Sequence, residues 1–179
     1  MSVLSLLVYE GDRLRTAAST LAERSDRAAN ISGGSCTVRI EDAGVAVFDG
    51  EWNLGSPGLL ADEFEQAGRL LRSGRPALVR SAIFDASVVP FFYFEPGDAG
   101  STLVSCLFLD GQLGMLWPLP SGGPDARSLY DHLASQLERL LSAQPDYPGV
   151  LRRVSLPSAA LEDDMELLVR EARAIARRS

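Results

Sequence analysis

The stretch TLVSCLFLDGQLGMLW, Thr102–Trp117, decides the fold class. At its centre, Asp110–Gly111 has the composition of a two-residue hairpin turn, because both central positions of a type I′ turn need a positive φ. Such a turn sets Phe108 opposite Leu113, Cys106 opposite Met115 and Val104 opposite Trp117. All six are apolar and share one face, so turn chemistry and cross-strand pattern give the same antiparallel register.

A second hairpin of the same kind lies upstream. Cys36, Val38 and Ile40 alternate with Thr37, Arg39 and Glu41, as a half-buried strand does, after the loop-like residues Asn30–Ser35. A turn at Asp42–Gly44 leads into Val45–Phe48, and Asp49–Gly50 then pairs Val47 with Trp52 and Val45 with Leu54. Ala77–Asp85, Val88–Glu95 and Val150–Leu156 also read as strands. Pro90 carries no N–H, which places it on an edge strand or at a strand's first residue.

Helices punctuate these strands. Ser56–Pro57 opens one that Gly74 closes, with Leu60, Phe64, Ala67 and Leu71 facing inward. Pro124 starts another that runs to about Ser142 and turns Leu129, Leu133, Leu137, Leu140 and Leu141 inward. The last, Ser158 to Arg177, buries Leu161, Met165, Leu168, Val169, Ala172 and Ile175, and its acidic start and basic end complement the helix dipole. A thinner apolar face predicts a helix from Gly11 to Ala29 with Asp12 as N-cap, while residues 2–9 fit a strand or a helix equally.

The expectation is therefore an α+β fold. A mainly antiparallel sheet of two Asp-Gly hairpins or meanders packs with about four helices in one domain, residues 1–179. Similar runs around Phe48–Asp49–Gly50 and Leu109–Asp110–Gly111 suggest a duplicated βββαβ unit, with halves 36–85 and 88–156.

Composition excludes more than it identifies. With 46% apolar and 23% charged residues over 179 positions, the chain is globular and long enough for a sizeable core. All 17 basic residues are arginine, so no Schiff-base lysine, phosphate-loop lysine or Ser–Lys dyad exists; a GC-rich coding bias explains the pattern. The net charge of −7 argues against a sequence-independent grip on nucleic acid and against an anionic membrane, and it suits a basic partner. Reviving a nucleic-acid role requires a continuous stripe from Arg69, Arg72, Arg75 and Arg80. No apolar run has transmembrane length and no basic flank precedes Met1–Tyr9, so the expected location is the cytoplasm.

No cofactor motif and no metal-ligand spacing is present, so neither is expected. Cys36 and Cys106 lie in alternating apolar stretches and read as buried thiols rather than a disulfide or a reactive group. His132, the sole histidine, flanks the Leu129/Leu133 face beside Asp131, where a boundary residue is commoner than a catalytic one. Asp85, Glu95, Asp98 and Asp110 cluster near strand ends; turn chemistry accounts for such residues, and convergence would make an acid pair or a hard-cation site. Ser121–Gly122–Gly123–Pro124 precedes a helix and resembles an anion cradle only weakly, since Asp125 opposes a phosphate.

Phe91, Phe92, Tyr93 and Phe94 put bulky rings on both faces of one strand. Either the fold covers both faces, or one face meets a partner, or the rings line a ligand pocket, and these four are the candidate binding residues. The expected function is a non-enzymatic protein-binding module of chaperone-like, immunity or adaptor type, with a protein partner or self-association. The alternative is a small enzyme or ligand-binding protein that uses the carboxylates or His132 in a pocket.

Overall fold

The computed structural model describes residues 1–23, 31–48, 55–80, 88–110 and 125–178. The fold is α+β, with four helices and two antiparallel four-stranded sheets among those residues.

The first sheet is built from the first four strands of the chain, in the spatial order second, first, third, fourth. Residues 4–10 form β1 (Leu4–Glu10), which turns at Gly11–Asp12, with Gly11 at φ 61, into β2 (Arg13–Thr16). The helix expected from Gly11 is thus replaced by a hairpin and a short α1 (Ala17–Ala22). Gly11–Asp12 acts as a turn pair, so Thr16 rather than Asp12 caps α1, accepting from the Ser19 N–H at 3.3 Å. The longer strand β3 (Ile31–Asp42) runs through positions 31–35, which loop composition had suggested were irregular. Ala43 and Gly44, both at positive φ, turn it into β4 (Val45–Phe48). The expected Val47–Trp52 and Val45–Leu54 pairs lie outside the described residues.

The second sheet is a plain meander, β5-β6-β7-β8: β5 (Ala77–Arg80), β6 (Val88–Pro96), β7 (Ser101–Asp110) and β8 (Val150–Pro157). Here the hairpin reading of Thr102–Trp117 is overturned. Both edges of β7 are occupied: Val104 lies between Phe94 and Val154, Cys106 between Phe92 and Arg152, and Phe108 between Pro90 and Val150. No edge remains at those positions for Leu113, Met115 or Trp117, which themselves lie outside the described residues. The tight turn of this sheet is instead Asp98–Ser101, with Ala99 at φ 56, Gly100 at φ 74 and the Ser101 N–H donating to the Asp98 carbonyl at 3.2 Å. Strand β6 is interior, not an edge. Pro90 is accommodated because the described pairs with β5 end at Phe91–Arg80.

Helix α2 (Pro57–Arg72) begins as expected, with the Ser56 hydroxyl accepting from the Leu59 N–H and Pro57 in the first turn. Helix α3 (Ala126–Ala143) covers one face of the second sheet, packing Leu129, Tyr130, Leu133, Ala134 and Leu137 on Phe91, Tyr93, Leu107 and Leu109. The opposite face shares the larger core with α2, α4 (Ser158–Ala176) and the inner face of the first sheet. The two runs suggested as a duplication pair differently: β8 returns to the sheet of β6 and β7, whereas β5 joins that sheet and not the one of β3 and β4.

One contact ties the first sheet to α4. The Asp164 carboxylate accepts from the backbone N–H of Val3 (2.6 Å) and of Leu4 (3.0 Å) and from the Ser2 hydroxyl (3.1 Å). Hydrogen bonds to a charged acceptor contribute more than neutral ones, and removing it strands two partly buried donors. Asp164→Ala is expected to destabilise by about 2 kcal/mol in urea unfolding, and Asp164→Asn, which keeps an acceptor, by less. Equal stability of all three proteins would show that the clip is idle.

Candidate functional site

Helices α2 and α4 lie antiparallel, with a groove between them. Two sets of ion pairs cross it. Arg173 reaches Glu65 at 2.7 Å and Asp62 at 3.4 Å, while Arg72 reaches Glu166 at 3.2 Å. Between these straps lies an open space of about 340 Å³ over Phe64, Gly68, Met165 and Val169, rimmed by Glu65, Arg72, Glu166 and Arg170. Leu59 and Leu167, on the same two helices, are among the few large apolar side chains that stand exposed, at 53% and 42%.

Gly68 lies beneath the Arg72 strap. It sits inside α2 with helical backbone and is buried, yet packing does not demand glycine there. A methyl at this position would meet only the flexible Arg72 guanidinium, at 3.5 Å, an ordinary contact distance. Glycine within a helix costs about 0.5–1 kcal/mol relative to alanine, and here it leaves room for the Arg72 guanidinium to lie against the helix. In the sequence, Gly68 is a glycine on the inner side of an otherwise regular apolar helix. Its meaning depends on α4, which arrives from about a hundred residues away.

The four aromatic candidates are buried within the chain on both faces of β6. Phe92 and Phe94 face the larger core, where Phe48 meets Phe92 edge-on at 4.8 Å and Phe64 meets Phe94 at 6.2 Å. Phe91 and Tyr93 face α3, and Tyr93 stacks on Tyr130 with centroids 4.1 Å apart. Exposure is 4% for Phe91 and 0% for the other three, so their side chains present no open surface. Helices and a second sheet account for the doubled aromatics.

Around Tyr130 a polar row crosses the sheet. Its hydroxyl pairs with the Ser105 hydroxyl at 3.0 Å and accepts from the Arg153 Nε–H at 2.9 Å, and Arg153 also pairs with Glu138 at 3.1 Å. Burial pushes the Tyr93 phenol above its ordinary pKa, so it holds its proton at neutral pH.

Among the described residues the titratable candidates form no cluster that could hold a metal ion. Glu95 is tied to Arg127, and Asp98 is exposed in the β6–β7 turn. Asp110 ends β7, and Asp85 lies outside the described residues, as do Ser121–Pro124. His132 is exposed on α3, its Nε2 2.9 Å from the Gln136 amide nitrogen. Among the described residues no group of three or more His, Cys, Asp or Glu side chains is placed to hold a metal ion. Nor do the arginines of α2 form a free stripe, since Arg69 pairs with Glu65 and Arg72 with Glu166.

Both thiols are buried and free, and burial pushes each up to about 12. The thiolate, the reactive form, is therefore scarce at pH 8, and native protein is expected to resist iodoacetamide there while urea-unfolded protein takes up two equivalents by mass spectrometry. A thiol favoured in its neutral form when folded stabilises the fold below its unfolded pKa, near 8.5, and loses that contribution as pH rises from there toward 12. Rapid native alkylation at pH 8 would contradict this placement.

Among the described residues no helix is long and apolar enough to cross a membrane. No protein-family model, no curated protein and no solved structure matches the chain.

Proposed function

We propose that this chain is a non-enzymatic protein-binding module of chaperone-like, immunity or adaptor type, working in the cytoplasm through the α2–α4 groove. The observation that carries the reading is the groove itself, a concavity between two antiparallel helices with charged straps at both ends. Protein contacts centre on pockets that exclude water and are ringed by polar groups, and this arrangement has that form. Burial of Phe91–Phe94 moves the contact away from β6, the strand from which partner binding was first expected.

Charge supports the same reading at longer range. A net charge of −7 sets a field that favours encounter with a basic protein and disfavours nucleic acid or an anionic membrane. Capture of the tagged chain's partners from its own cell extract, at low and at moderate salt, tests the proposal. One stoichiometric protein retained at both salt concentrations is the expected result. Retention of no protein at either, with the tagged chain monomeric by sedimentation, would remove the proposal's support.

A further inference from the structure

We infer that two copies of this chain pair through the outward face of α4, antiparallel across a two-fold axis; this rests on the protein-binding reading above and names a second copy as the partner. The stripe that carries the contact is Ala160, Asp163, Leu167, Arg170, Ala174 and Arg177. Steps of three and four residues keep these six on one line of the helix, on the side turned away from the buried Leu161, Leu168 and Ala172. Asp163, Arg170 and Arg177 are exposed, the two alanines are half-buried, and Leu167 is one of the few large apolar side chains left in the open, at 42%.

Two charges of the stripe have no task within the chain. Neither Asp163 nor Arg170 makes an ion pair among the described residues, and the seven positions between them, roughly 10 Å along the helix, keep them from pairing with each other. Glu166, one turn before Arg170, is held by Arg72 at 3.2 Å. The helix dipole acts on the first and last turns, and in α4 both residues stand beyond those turns.

The stripe is its own complement. Its steps are the same read in either direction, so an antiparallel copy sets Asp163 opposite the partner's Ala174 and Leu167 opposite the partner's Arg170. Asp163 then lies one turn from the partner's Arg170 on one side and from the partner's Arg177 on the other, and the two Leu167 side chains meet beside the axis. Opposite charges fix the register, and the alanines let the helices come close. A two-fold contact satisfies both ends at once and closes at two copies. The net charge of −7 on each copy opposes approach, but salt screens it beyond about 8 Å at physiological ionic strength, and the facing pairs act within that distance.

Sedimentation of the intact chain from micromolar to millimolar concentration tests the inference. A concentration-dependent equilibrium between one and two copies is expected, and a weak one, because a single helix stripe is a small interface. Asp163→Arg and Arg170→Asp are each expected to raise the dissociation constant at least about tenfold, since each sets like charges face to face. Mixed in equal amounts, the two variants are expected to recover most of the parent's affinity as a heterodimer, because Asp163 and Arg170 of one chain then face opposite charges on the other. Mixing repairs no folding defect, so recovery distinguishes a lost contact from a damaged protein. A chain that sediments as a monomer throughout, single reversals that associate as the parent does, or a mixture that stays apart overturns the inference. Capture from cell extract separates this failure from that of the binding module. A monomeric chain that retains one stoichiometric protein leaves the module standing without self-association, and one that retains none removes both.

Discussion

Phe92→Ala is expected to lower stability by about 3–5 kcal/mol, the usual loss when a fully buried phenylalanine is truncated. Phe92 is 0% exposed, sits in the interior strand between β5 and β7, and meets Phe48 edge-on at 4.8 Å, while Phe48 stacks on Phe108 at 4.7 Å. Removing that ring opens a void where the first sheet leans on the second, and neither backbone can collapse into it. For a chain of this length the change corresponds to a fall in Tm of roughly 6–20 °C. The value also decides what the aromatic strand is for. A partner contact, truncated, weakens capture and leaves Tm unchanged; a core residue lowers Tm first. Thermal unfolding of Phe92→Ala unshifted by more than a degree would return β6 to candidacy as a binding surface.

The comparison of sequence with structure turns on what is local. Helix α2 was readable because Ser56, Pro57 and Gly74 mark its ends through their own backbone chemistry, and α4 because its apolar spacing persists over five turns. Strand β7 was readable as a strand for the same reason, yet its partners were not. Asp110–Gly111 has turn composition, but pairing is settled by which neighbours bury the most apolar surface, and β7 pairs with Val88–Pro96 and Val150–Pro157. The β1–β2 hairpin was missed because Leu14, Ala18 and Leu21 also fit a helical face, and four residues of β2 carry too little alternation to prevail. For the site, the sequence named residues by chemistry, and burial reassigned them. Aromatics went to the core, and the described carboxylates went to turns and ion pairs.

Gly149→Ala is the second large effect, and it differs in kind from an alanine at Gly74. Gly74 follows α2 at φ 72, in the left-handed region, where its N–H donates to the Leu71 carbonyl at 2.9 Å; a methyl there meets nothing within 4 Å. Its cost is conformational, about 1 kcal/mol, and the same for alanine as for leucine. Gly149, just before β8, is the reverse case: its backbone is not left-handed, but a methyl would lie 2.5 Å from Leu137 Cδ1, 2.5 Å from the Tyr147 ring and 2.9 Å from the Phe108 carbonyl oxygen. The chain passes so close to β7 there that α3, through Leu137, seats on the second sheet only because no side chain intervenes. Overpacking of this kind costs about 1–3 kcal/mol for one methyl and grows with each added carbon, since the carbonyl of a central strand cannot step aside. Urea midpoints of Ala and Leu variants at both positions separate the two causes. At Gly74 the two substitutions should coincide, whereas at Gly149 leucine should fall well below alanine. A Gly149→Leu protein as stable as Gly149→Ala would mean that α3 can lift from the sheet at little cost, and the seating of that helix would then be loose rather than fixed by the close approach.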